Sequence, residues 1–205
     1  MPVEYCNRVG KKYFLREGKT KTGKPRYFFS SKQDGKGTVT KSIPDGYEIY
    51  EHPENAQVFL RKKLARLITE LEEQRVIHTL KSLNKTKRYL VDCKNKYLTI
   101  YESSTDNKII VKPFGKSLSS LILKQFNISE NKNKKCDLMN IYDTHYTAVL
   151  RFILEDEVKR KFTAERFCFR GAIDDWIYLS GPSNFRILIE EYLDKLCKDA
   201  LYDLY

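Results

Sequence analysis

Residues 18 to 29, GKTKTGKPRYFF, set the cations Lys19, Lys21, Lys24 and Arg26 directly before Tyr27, Phe28 and Phe29. Lysine and arginine neutralise phosphates and release the counterions condensed around them, and an exposed ring stacks on an unpaired base. A two-stranded ribbon carrying both suits a phosphate track or a major groove. On this reading Lys19, Lys21, Lys24, Arg26 and Tyr27 are nucleic-acid contacts, with Tyr13 and Phe29 as further rings for stacking. The same residues have a second use. Alternate aromatics build the interior of a small sheet while lysines keep its edge from pairing with other chains, which leaves a solvated hairpin or a protein-docking surface.

Other constellations carry weaker chemistry. Arg166 and Arg170 share a strand face, because side chains alternate with period two. With Asp174 and Asp175 they can line a polar pocket for a phosphate or carboxylate. An ion-pair network at a sheet edge uses the same residues and is the commoner outcome. Asp92-Cys93-Lys94 and Glu157-Val158-Lys159 resemble the (D/E)xK element of metal-dependent nucleases, where a carboxylate holds a divalent cation and a lysine orients water. Both strings fall where hairpin turns are expected, and turns attract charge without chemistry. His52, His78 and His145 lack metal-ligand spacing. Nothing in the sequence assembles His145, Asp143 and Cys168 into a nucleophilic triad. No GxGxxG, P-loop, HExxH or GxSxG occurs. The sequence therefore predicts no catalytic or metal site and no cofactor.

Charge gives the hairpin its weight. The chain of 205 residues has a net charge of +11. Residues 1 to 41 hold eleven Lys/Arg against three Asp/Glu, a net of +8, which leaves only +3 for the remainder. A localised excess of this kind favours polyanionic partners and says nothing of fold. Hydrophobic residues make up 41%, enough for a core. Five scattered cysteines without CxxC spacing argue against a disulfide framework and a zinc site. No apolar leader or membrane-length apolar run is visible. The expectation is a reduced, cytoplasmic protein with no membrane role. Its oligomeric state is not legible.

The elements that position these residues read as α+β. KYFLREG and RYFFSSK form a first hairpin around Gly23 and Pro25, and YEIYEHP and QVFLRKK a second around Pro53, Glu54 and Asn55. The two echo each other: Tyr13 precedes Glu17 as Tyr47 precedes Glu51. A degenerate duplication would pair them into one four-stranded meander with Tyr13, Phe28, Ile49 and Phe59 inside. Ordinary hairpin resemblance explains the echo equally well.

A helix follows, capped by Thr69, with Glu70, Glu72 and Glu73 in its first turn, where the macrodipole favours anions. Ile68, Leu71, Val76, Leu80 and Leu83 make its apolar stripe. RYLVD and YLTIYES are strands separated by Cys93-Lys94-Asn95. KIIVKPF reads as a strand, residues 117 to 126 as a short helix and residues 129 to 137 as a polar loop. In HYTAVLRFILED, Tyr146, Ala148, Leu150 and Phe152 face one way; KFTAERFCFRG returns, and residues 173 to 179 add a segment around Trp176. A terminal helix opens near Pro182 and Ser183, with a stripe of Phe185, Leu188, Ile189, Tyr192, Leu196 and Ala200 that packs on a sheet. The expected architecture is a small N-terminal antiparallel β-meander, a connecting helix, and an antiparallel sheet backed by helices including a long C-terminal one. The expected organisation is a basic β-hairpin module at 1–66, the connecting helix at 67–86 and an α+β domain at 87–205.

The wording KTKTGKPRYFF followed by IPDGYEIYEHPENAQVFLRKK, together with RFCFRGAIDDW and the terminal helix, resembles a family of uncharacterised bacterial proteins over residues 10–63 and 166–205. That resemblance implies no activity, cofactor or site residue. The sequence thus leaves three functions in order: a non-catalytic nucleic-acid-binding protein using the basic hairpin for phosphate contacts, a protein-interaction or adaptor module, and a metal-dependent nuclease.

Overall fold

A computed structural model describes residues 1–32, 34–86, 88–104, 145–170 and 173–202, without the side chains of residues 169, 170 and 173. The strand expected at KIIVKPF, the helix at 117–126 and the loop at 129–137 lie outside the described residues. The fold is α+β, in two compact units: Met1–Asp45 with Ile49–Leu60 and Ser103–His145, and Gly46–Glu48 with Arg61–Glu102 and Tyr146–Tyr205.

In the first unit the antiparallel sheet is centred on β2 (Lys12–Lys19). One edge of β2 pairs with β3 (Pro25–Ser30) from Phe14↔Ser30 to Lys19↔Pro25. Its other edge is shared by two short strands that the sequence did not announce, β1 (Glu4–Cys6) and β4 (Thr38–Val39). Leu15, with no exposed surface, anchors the interior, while Tyr13 and Phe28 are half-buried.

The loop between β3 and β4 is held by Arg16, which is only 5% exposed. Its guanidinium donates to the carbonyls of Lys36 at 2.9 Å and Gly37 at 2.7 Å, and also to those of Lys32 and Gly35. A buried guanidinium must find acceptors, and a tight loop must satisfy its carbonyls; here each solves the other's problem.

The second hairpin forms as expected, from β5 (Tyr47–Glu51) and β6 (Val58–Lys62), but it is a two-stranded sheet of its own and does not join β2 and β3. Side chains of the β1–β2 turn grip it instead. Asn7, 6% exposed, donates from Nδ2 to the Ala56 carbonyl at 2.8 Å and accepts the Lys11 N–H at 2.8 Å. Arg8 donates to Glu51 at 2.8 Å and to the carbonyl of His52 at 3.0 Å. Both edges of β2 are already taken, so no strand position remains beside it for β5 or β6. Phe59 is 40% exposed rather than interior for the same reason.

The second unit is built on a five-stranded sheet in the order β11-β10-β9-β8-β7. Its strands are β7 (Tyr89–Lys94), β8 (Tyr97–Ser103), β9 (Tyr146–Asp156), β10 (Lys161–Arg170) and β11 (Ile173–Asn184). The β7–β8 turn is two residues, Asn95 and Lys96, with Asn95 at φ 55°. Cys93 and Lys94 therefore belong to β7 and not to the turn assigned from sequence. Asparagine tolerates the left-handed region that so short a turn needs.

Helices α1 (Glu70–Ser82) and α2 (Phe185–Leu193) supply one side of the core. Thr69 caps α1 and completes a capping box: its side chain accepts the Glu72 N–H, and Glu72 accepts the Thr69 N–H. A cap of this type contributes about 1 kcal/mol. Ile68, Val76 and Leu80 are buried as expected, but Leu71 is 82% exposed and leaves the stripe. Phe185 of α2 stacks on Phe162 at 4.2 Å and meets Phe152 edge-on at 5.3 Å. The α2 cap is Asn184, whose side chain accepts the Arg186 N–H; Ser183 still pairs with Phe162 in the sheet. Leu196 and Leu201 close the core beyond α2, and Ala200 is exposed.

β9 is the central strand, and it is buried on both faces. Leu150, Phe152 and Leu154 belong to the core shared with the helices, while Ile153, turned to the other face by strand alternation, is still only 6% exposed. The one-sided alternation read from HYTAVLRFILED is true of the helical face alone.

Candidate functional site

The tip of the β2–β3 hairpin is a tight loop from Thr20 to Lys24. Gly23 donates to the Thr20 carbonyl at 3.0 Å, Thr20 donates to the Lys24 carbonyl at 2.8 Å, and the Lys24 N–H donates to Thr20 Oγ1 at 3.1 Å. Gly23 sits at φ 79°, a conformation glycine takes without steric cost. The hydroxyls of Thr20 and Thr22 lie 3.0 Å apart and tie the loop further. The sequence thus spends its threonines and glycine on fixing the tip and leaves the cations outside.

Lys19, Lys21, Lys24 and Arg26 are all exposed, and their side chains have no hydrogen bond or ion pair among the described residues. Register decides where they point. Lys19 lies opposite Pro25, on the face that carries Glu17 and Tyr27. Arg26 lies opposite Gly18, on the face that carries Arg16 and Phe28. Lys19 and Arg26 therefore lie on opposite faces of the ribbon, with Lys21 and Lys24 in the turn between them. Tyr27 is half-buried and sits across from Glu17, so its ring offers a flank to a ligand more than a platform.

The other candidates are distributed through the second unit. Asp92 and Lys94 are on β7, and the Cys93 thiol between them is pushed up to about 12 by burial and by the nearby Glu73 carboxylate. That thiol is protonated at neutral pH and is no nucleophile. Glu157, Val158 and Lys159 occupy the β9–β10 turn, where Asp156 Oδ1 accepts the N–H groups of Val158 at 2.9 Å and Lys159 at 2.8 Å. Arg166 is buried on β10 with its guanidinium 5.5 Å from the Tyr202 ring centre. Asp174 and Asp175 are exposed neighbours on β11 and project to opposite faces, while the Arg170 side chain lies outside the described residues. His145 is exposed at the start of β9, Cys168 is buried, and Asp143 is outside the described residues. His52 accepts the Glu54 N–H at 3.3 Å within its own turn, and His78 is exposed on α1. Among the described residues no three of His, Cys, Asp and Glu converge on a point where a metal ion fits.

Two arrangements went unread in the sequence. Arg151 sits between rings on the sheet face away from the helices, 4.2 Å from the Trp176 centroid and 5.3 Å from that of Tyr97, and it is paired with Glu165. Lys85, beyond α1, donates to the carbonyls of Leu193, Asp194 and Leu196, each at 2.9 Å. Both join residues far apart in sequence, and only strand and helix packing brings them together. No family model, curated protein or solved structure matches this chain.

Proposed function

We propose that this chain binds nucleic acid through the β2–β3 hairpin, by phosphate contacts from Lys19, Lys21, Lys24 and Arg26. One observation carries the reading. Arg8, Arg61, Arg66, Arg88, Arg151 and Arg160 are each committed to a carboxylate, whereas the tip cations are exposed and uncommitted. Uncommitted charge on a rigid tip binds a polyanion without first breaking an internal pair.

The two-sided arrangement of Lys19 and Arg26 suits a tip inserted between phosphates. Contacts of that kind position a protein and carry no sequence information. Tyr27 would add a ring flank to an unstacked base. The test is fluorescence anisotropy with labelled single- and double-stranded oligonucleotides. Lys21→Glu with Lys24→Glu should weaken binding strongly, and unchanged affinity would end the proposal.

A second reading, the interaction module, is favoured by the position of β3. It pairs only with β2 and is an edge strand among the described residues, so its outer edge is a template for an added strand from a protein partner. Binding to a partner that survives Lys21→Glu with Lys24→Glu and is lost when a proline replaces an outward N–H on β3 would select that reading.

A further inference from the structure

Arg75 on α1 and Arg186 on α2 line one cleft with Thr79, Ile189 and Glu190, in a cavity of about 170 Å³. Both helices belong to the second unit. Ile189, 1% exposed, gives the cleft an apolar wall. The Arg75 guanidinium is exposed and has no hydrogen bond or ion pair among the described residues. Arg186 holds Glu190 at 2.8 Å one turn further on, and that pair is largely in solvent. Exposed ion pairs of this kind are weak and exchange readily.

Two guanidinium forks from different helices suit a tetrahedral anion better than a single carboxylate. A carboxylate saturates one fork, while the oxygens of a phosphate dianion can accept from both. The first turn of α2 holds no acidic residue, so the positive end of that helix adds to the attraction. The cavity has room for a phosphate and a few further atoms.

We propose that the α1–α2 cleft binds the terminal phosphate of a small ligand, either inorganic phosphate or a phosphate monoester, between Arg75 and Arg186. Glu190 holds Arg186 and gives it up to the ligand. The site lies on other elements than the hairpin and is independent of nucleic-acid binding.

The test is an NMR titration of the full chain with inorganic phosphate, and separately with phosphoserine, at constant ionic strength. Saturable amide shifts should appear on α1 around Arg75 and Thr79 and on α2 around Arg186. Arg75→Ala should weaken binding roughly ten-fold or more, and Arg75→Lys, which keeps the charge and loses the fork, should weaken it less. Glu190→Gln should tighten binding several-fold, because the ligand no longer competes with a carboxylate. Lys21→Glu with Lys24→Glu should leave it unchanged. Tighter binding of phosphoserine would identify an esterified ligand, and equal binding the free anion. If Arg75→Ala perturbs folding, Arg75→Gln serves in its place. Shifts that do not saturate in the millimolar range, affinity indifferent to both arginine variants, or Glu190→Gln weakening binding would each overturn the proposal.

Discussion

Arg160 donates from Nε to Glu72 Oε1 at 2.9 Å, across 88 positions of sequence, and so fastens the β9–β10 turn to the first turn of α1. The same carboxylate accepts the Thr69 N–H at 2.8 Å in the capping box. Burial alone would push the Glu72 carboxyl up; the hydrogen bonds from Arg160 and Thr69 outweigh it and hold the group below its ordinary value. A depressed carboxyl stabilises the fold fully above its unfolded value, about 4.3, and that contribution is lost as pH falls through the lower folded value. Thermal unfolding should therefore show stability falling below about pH 4.3, and Glu72→Gln should flatten that part of the profile while lowering stability at pH 7. An unchanged profile in the variant would assign the acid sensitivity to other carboxylates.

Lys85 donates to three carbonyls at the end of α2, where helical C=O groups lack intrahelical partners. Burial lowers its pKa from the ordinary lysine value, and the nearby Asp194 works against that shift. Lys85→Met keeps the stem and removes the donors. It should lower stability by about 1–2 kcal/mol and accelerate amide exchange around 193–196. Wild-type stability in a chemical denaturation series would show the collar to be incidental.

Gly37 adopts φ 84°, and a Cβ there would stand 2.5 Å from the Glu17 carbonyl oxygen. Gly37→Ala should cost about 1–3 kcal/mol through backbone strain and the displaced β4 pairing. Gly10→Ala, at φ 82° in open space, isolates the strain alone and should cost less. Equal losses, read by denaturation midpoints, would remove the close approach as a cause.

The four thiols among the described residues should divide by burial. Cys6 and Cys197 are exposed, Cys168 is buried, and the Cys93 thiol is held protonated by its burial. Alkylation followed by peptide mass mapping should label Cys6 and Cys197 within the native state, and Cys93 and Cys168 only on unfolding. Early labelling of Cys93 would contradict its placement in β7 against the core.

Local signals were legible in the sequence because local physics sets them. The Thr69 cap, the first hairpin and the Phe185–Leu196 stripe each depend on neighbours within a few residues. Pairing between hairpins is a different matter. Asn7 and Arg8 decide where the second hairpin docks, and no strand pattern announces a side chain that grips a loop some 45 residues away. Leu71 follows the helical period yet stays exposed, since period alone does not say how wide a stripe the sheet covers. The tip cations were visible as residues, but the placing of Lys19 and Arg26 on opposite faces needed the Gly18↔Arg26 register.

The central claim is a located set of phosphate contacts on the hairpin tip, and salt dependence tests it most directly. Each phosphate contact contributes a slope of about 0.7 to 0.9 in log K against log salt, so four contacts give a slope near −3. Lys21→Glu with Lys24→Glu should flatten that slope by about 1.5 and weaken binding to every oligonucleotide alike. Lys94→Glu with Lys159→Glu, two exposed lysines on other elements, removes the same charge and should leave the slope nearly unchanged. Equal losses from the two double variants, or no binding by the folded protein at low salt, would contradict the claim.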